Sequence, residues 1–178
     1  MREPHFSRKL REEIHAAFAW RSYPGDDHLA LPGPGCPGDD REDVGRFFRA
    51  KDWREVTLAA ITESDLDPNA FLFFMSAEAF VYYLPAFLTE SLAVVDGFDL
   101  GEPLAFKLTP PQGNPQDPGL AAARTLFNQI VSALTPEEKQ AVVRALKFLA
   151  REYDKRGDTM NRAQAALDSH WAELGFVE

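Results

Sequence analysis

Apolar residues recur at helical spacing through most of the chain. Leu10, Ile14, Ala17 and Phe18 fall on one side of the segment from Ser7 to Trp20, with Arg8, Arg11 and Glu12 on the other. That pattern predicts an amphipathic first helix, stopped by Pro24 and Gly25. A second helix is predicted from about Arg41 to Ala50, with Val44, Phe47 and Phe48 inward and Asp40 as its cap. Val56, Leu58 and Ile61 predict a short helix after Trp53, before "ESDLDPNA" interrupts the chain. In "FLFFMSAEAFVYYLPAFLTESLAVV", Ser76 is the predicted N-cap of a helix with Phe80, Leu84, Leu88, Ser91, Leu92 and Val95 in one stripe. Pro85 lies inside that stripe, where it must kink the helix or open a new one.

The C-terminal half continues the pattern. Leu126, Phe127, Ile130 and Val131 mark a helix over about Leu120–Leu134. "TPEEK" then carries a capping box, with Thr135 at N-cap, Pro136 at N1 and Glu138 at N3. The helix it opens buries Val142, Ala145, Leu146, Leu149 and Tyr153. A last helix, about Met160 to Leu174, carries Ala163, Ala166, Leu167, Trp171 and Leu174. "PLAFKL" is the one strand-like piece, because Leu104, Phe106 and Leu108 alternate between Pro103 and Pro110. The reading is a mainly α, single compact helical domain over 1–178, of about six helices and at most one short strand-like segment. Long Pro/Gly loops separate the helices at 22–40 and 109–119. The first holds four prolines and four glycines, and a structureless connection of that length in a compact domain is functional or mobile.

Charge and composition narrow the classes. The formal net charge is -9, from 19 basic and 28 acidic residues, which argues against nucleic acid and an anionic membrane as partners. A basic protein partner suits it. The longest nearly apolar run, Ala79 to Leu88, falls well short of the ~20 residues of a membrane-spanning helix. "MREPHFSRKLREE" has no apolar core of a signal peptide. With Cys36 as the sole cysteine no internal disulfide forms, and the expectation is a soluble, cytoplasmic protein.

Four segments, "YPGDD", "FFRAKDW", "SAEAFVYYLPAFL" and "FKLTPP", occur in this order. In them the chain resembles an uncharacterised bacterial family, a domain of unknown function, from about Tyr23 to Tyr153. The resemblance implies a bacterial, soluble, mainly helical protein and transfers no catalytic residue.

Candidate chemistry gathers at a repeated tetrapeptide, Pro-Gly-Asp-Asp, at Pro24–Asp27 and Pro37–Asp40. Pro-Gly suits the centre of a type II turn. Asp39 and Asp40 precede a helix and cap it, whereas no helix follows Asp26 and Asp27. That asymmetry makes Asp26, Asp27 and His28, joined by Asp40 or Asp43, the candidate ligand or metal site, with Mg, Mn or Zn as the ions such donors hold. The bland alternative is a solvated bend. Tyr23, Trp53, Tyr82 and Tyr83 are candidates for a pocket or partner surface, since tyrosine joins an apolar body to a polar tip. The bland alternative for the aromatic segment is core. Cys36, His15 and His170 are read as an ordinary loop thiol and two edge-of-core histidines.

H-E-x-x-H, G-x-S-x-G, C-x-x-C and a Gly-rich phosphate loop are all missing. The functional expectation is therefore a non-enzymatic protein-interaction or regulatory domain with no predicted cofactor. Two alternatives stand beside it: a small metal-dependent enzyme or metal-binding protein using the Asp26–Asp27–His28 loop, and an immunity-type inhibitor of a basic toxin. The sequence leaves the oligomeric state open.

Overall fold

The structure, a computed structural model, describes residues 5–31, 40–64, 68–93, 99–158 and 160–175. Among these residues there are nine α-helices and no strand, so the chain is mainly α. In order they are α1 (His5–Phe18), α2 (Asp40–Phe48), α3 (Leu58–Glu63), α4 (Pro68–Phe74), α5 (Ala77–Ser91), α6 (Gly101–Lys107), α7 (Pro118–Ala133), α8 (Pro136–Arg156) and α9 (Arg162–Ala166). The surplus over the six expected comes from short helices that periodicity alone resolves poorly. Single 3-10 turns stand at Asp26–His28 and Trp53–Glu55, and α9 runs on through a π turn, Leu167–Trp171.

The core is built around α5. Ala79 to Thr89 are buried without interruption, on every side of the helix, so this element is a central one rather than an amphipathic one. It packs against α1, α6 and α7, while α1 lies along α8. Ser76 caps α5, its hydroxyl accepting from the Ala79 N–H at 3.1 Å. The helix continues through Pro85, and no second helix opens there. Val95, the end of the predicted stripe, lies outside the described residues.

Segment 101–107 corrects the strand-like reading. It is helical, and Leu104 and Leu108 are buried one turn apart while Phe106 points out. Leu104 and Leu108 satisfy both a two-residue and a four-residue period, so the alternation carried no decision. Pro103 falls in the first turn, where the missing N–H costs nothing. Asp40 also differs from its expected role: it is the first residue of α2, exposed in the helix's first turn with Glu42 and Asp43.

The two best-defined termini belong to α8. Thr135 accepts from the Glu138 N–H at 3.2 Å and Glu138 returns the bond to the Thr135 N–H at 2.8 Å. At the far end Gly157, φ 75°, closes the helix in the left-handed conformation. Glu138 has a second task that the sequence concealed. Its side chain is fully buried and receives Arg21 in a two-pronged pair, Nε to Oε1 at 2.7 Å and Nη2 to Oε2 at 2.6 Å. Arg21 Nη2 also donates to the Ala133 carbonyl at the end of α7, at 2.6 Å. One guanidinium thus ties the end of α1 to the α7–α8 junction.

Candidate functional site

The first Pro-Gly-Asp-Asp is not a type II turn. Gly25 has φ 97° and ψ 152°, whereas that turn needs ψ near 0°. The chain instead leaves Gly25 extended and enters the 3-10 turn at Asp26, with the His28 N–H on the Gly25 carbonyl at 3.1 Å. Only glycine occupies that backbone region without strain. A Cβ at position 25 would meet nothing closer than His28 Cδ2 at 3.9 Å. Gly25→Ala is therefore expected to lose about 1–3 kcal/mol through backbone strain alone. Denaturant unfolding checks this; a midpoint equal to wild type would refute it.

The purpose of Asp26 is then visible across the chain. Its Oδ1 accepts the Tyr23 hydroxyl at 2.6 Å and the Ala50 N–H at 3.2 Å, and the same N–H lies 2.9 Å from the Tyr23 oxygen. Arg49 Nε stands 3.6 Å from Asp26 Oδ2. Ala50, just past α2, has φ 53°, an uncommon conformation for a residue with a side chain. Tyr23 and Asp26 hold that turn from outside. Tyr83 holds it from within, its hydroxyl shared between the Phe48 and Lys51 carbonyls, each at 2.9 Å. The hydrogen bond from Tyr23 keeps the Asp26 carboxyl below its ordinary range. Burial, and then the Asp26 carboxylate, push the Tyr23 phenol up to about 12, so it stays protonated at neutral pH.

The other candidate ligands part company. His28 Nδ1 turns to Glu78 Oε2 on α5 at 3.0 Å, and its backbone carbonyl accepts the Ser76 hydroxyl. Asp43 pairs with Arg46 at 2.8 Å, and Asp27 and Asp40 are exposed. Among the described residues no group of three or more His, Cys, Asp or Glu is placed to hold a metal ion. Cys36 and Pro37–Asp39 lie outside the described residues, and so does the proposed capping by Asp39.

Three of the aromatic candidates, Tyr23, Tyr82 and Tyr83, form a file of edge-on rings. Tyr23 meets Tyr82 edge-on at 5.7 Å between centroids, and Tyr82 meets Tyr83 edge-on at 4.8 Å. Trp53, Tyr82 and Tyr83 are buried, and Trp53 packs edge-on against His15 at 5.0 Å. Burial lowers His15, helped by Arg54 and Arg11, and lowers His170, helped by Lys139, so both favour the neutral ring.

What the sequence reading passed over is a pair of phenylalanines on the outside. Phe73 on α4 and Phe106 on α6 are 47% and 46% exposed, and their ring centroids lie 5.9 Å apart. Beside them Lys107 is half-buried, its Nζ 5.9 Å from the ring centroids of both Phe73 and Phe80. Burial brings its ammonium down to about 8, and no carboxylate among the described residues pairs with it. Arg162 lies over Phe106 at 5.0 Å and is held by Glu102 at 2.9 Å. The available signal was the count of apolar sides: "FLFF" and "AFK" put aromatics on more faces than short helices can bury.

Residues 38–174 match the model of a family of unknown function, DUF6714. No curated protein and no solved structure matches the chain.

Proposed function

The chain belongs to this family of unknown function, and from that premise we propose that it is a non-enzymatic protein-interaction module whose contact surface is the aromatic face of α4 and α6. The observation that carries the reading is the Phe73–Phe106 pair, two rings left half in water on adjacent helices. Burying both on a partner is worth roughly 2–3 kcal/mol, since two half-exposed rings amount to about one fully buried Phe side chain. Exposed aromatics with an arginine laid over one ring match the enrichment of binding surfaces rather than a plain solvated surface. The hydrogen bonds by which Tyr23, Asp26 and Tyr83 hold the turn at Ala50 support the same reading, since these polar groups serve the fold.

A second reading keeps the basic partner, and with it the immunity-type inhibitor. Its support is the exposed carboxylates of α2's first turn, Asp40 and Glu42, beside the half-buried Asp43, with Asp27 exposed on the neighbouring turn. Such a contact forms fast and weakens with salt.

Photo-crosslinking separates the two. A photoreactive phenylalanine analogue is placed at Phe106 in one variant and at Glu42 in another, and each is irradiated in lysate of the source organism at low and high salt. A defined adduct from position 106 that survives salt, and that Phe73→Ala abolishes, is the expected result. An adduct from position 42 alone, lost in salt, would replace this reading with the basic-partner one. No adduct from either position would count against both.

A further inference from the structure

Lys107 gives the aromatic face a chemical preference. Its side chain is half-buried, and its ammonium ends 5.9 Å from the ring centroids of both Phe73 and Phe80. Position 107 is the last residue of α6, where the helix dipole tolerates a cation. Beyond that the charge is unanswered: among the described residues no carboxylate pairs with it. This is unusual in a chain with a net charge of -9, where acidic residues outnumber basic ones 28 to 19. The other cation of the face, Arg162, already has Glu102. A half-buried ammonium against two rings loses hydration without gaining a counter-ion, and a visiting carboxylate removes that cost.

We propose that the Phe73–Phe106–Lys107 face docks a segment of a partner protein in which an Asp or Glu side chain lies next to an apolar residue. The carboxylate pairs with Lys107, and the apolar side chain lies across Phe73 and Phe106. The proposal rests on the interaction reading above and adds the partner's chemistry to it. The burial that brings the Lys107 ammonium down to about 8 fixes a pH signature. Below about 8 the lysine is charged both free and bound, so affinity is flat. Above it the free lysine must take up a proton to pair, so affinity falls as pH rises.

The test is selection of random peptides, displayed with their C-termini fused, on the full-length protein. The best sequences are then synthesised with amidated ends and titrated. The expected result is enrichment of an acidic residue beside an apolar one, at least tenfold weaker binding by Lys107→Met and by Phe106→Ala, and weakening above about pH 8 in wild type but not in Lys107→Met. Methionine keeps the packed stem, and thermal melts confirm that each variant is folded. Peptides without a carboxylate, binding unchanged by Lys107→Met, or no enriched peptide would overturn the proposal. Wild-type self-association lost in Phe73→Ser would overturn it too, by naming a second copy as the occupant. If position 106 crosslinks a partner whose contact segment is not acidic, the interaction reading stands and only this inference fails.

Discussion

Arg21→Met is expected to cost about 3–5 kcal/mol of folding stability, lowering Tm by roughly 10 °C for a chain of this size. The substitution leaves the stem's packing in place and removes three charge-assisted bonds, two to Glu138 and one to the Ala133 carbonyl. The magnitude follows from what stays behind. Glu138 has no contact with solvent, so its carboxylate would sit buried with only the Thr135 N–H to answer it. Glu138→Gln on the Arg21→Met background is expected to recover much of the loss, because a neutral amide tolerates that position. Arg144→Met removes a single-pronged pair, Nη1 to Glu13 Oε2 at 2.5 Å, whose two side chains are 48% and 31% exposed. It should cost under about 1 kcal/mol. Equal losses in Arg21→Met and Arg144→Met would show that burial is not what sets the energy.

Gly101→Ala is expected to cost about 2–4 kcal/mol, although alanine is the better helix former by up to about 1 kcal/mol. A Cβ there would stand 2.5 Å from the Tyr153 hydroxyl, 2.9 Å from Leu149 Cδ2 and 3.1 Å from Asp99 Oδ1. Both α8 side chains are buried and cannot swing away. The same small space holds a polar knot: Asp99 Oδ1 accepts the Gly101 N–H at 2.8 Å and the Tyr153 hydroxyl at 2.9 Å, while Arg156 stands 3.4 Å from Oδ2. The methyl group must break part of it. Removing the hydroxyl relieves the clash, so Tyr153→Phe and Gly101→Ala should together cost less than the sum of their separate losses. Chemical denaturation of the four proteins measures this; simple additivity would mean that α6 shifts as a body instead.

The parts of this fold that were legible in the sequence are those in which local chemistry and tertiary role coincide. Thr135 and Glu138 announce α8, and Ser76 announces α5, because a cap is satisfied within four residues. The apolar residues of 77–91 marked core, but only the packing of the neighbouring helices shows that this helix is covered on every side. Segment 101–107 failed because Leu104 and Leu108 fit two periods, and only the neighbours of Phe106 reveal that it faces outward. The first Pro-Gly-Asp-Asp posed a question that the sequence could not answer. Its answer was hidden because the Ala50 N–H that Asp26 receives is 24 positions away. The sole local hint was Tyr23, three residues before Asp26 and bonded to it. The fate of Glu138 was more remote still. No pattern within a window tells a capping glutamate that also receives a buried arginine from one that does not.

The two caps of α8 and the arginine that docks on it also order events in time. A helix of 21 residues closed at both ends by its own chain can be structured early, before distant segments arrive. Arg21 reaches Glu138 across 117 positions, so that contact waits for the closure of a very long loop. The pair is then expected to form on the native side of the folding barrier. Stopped-flow kinetics of Arg21→Met should therefore show the loss on the unfolding limb of the chevron and a refolding limb near wild type. The arginine latches the finished molecule and does little to guide its assembly. What it confers is persistence, a long native lifetime against the transient openings that proteases exploit.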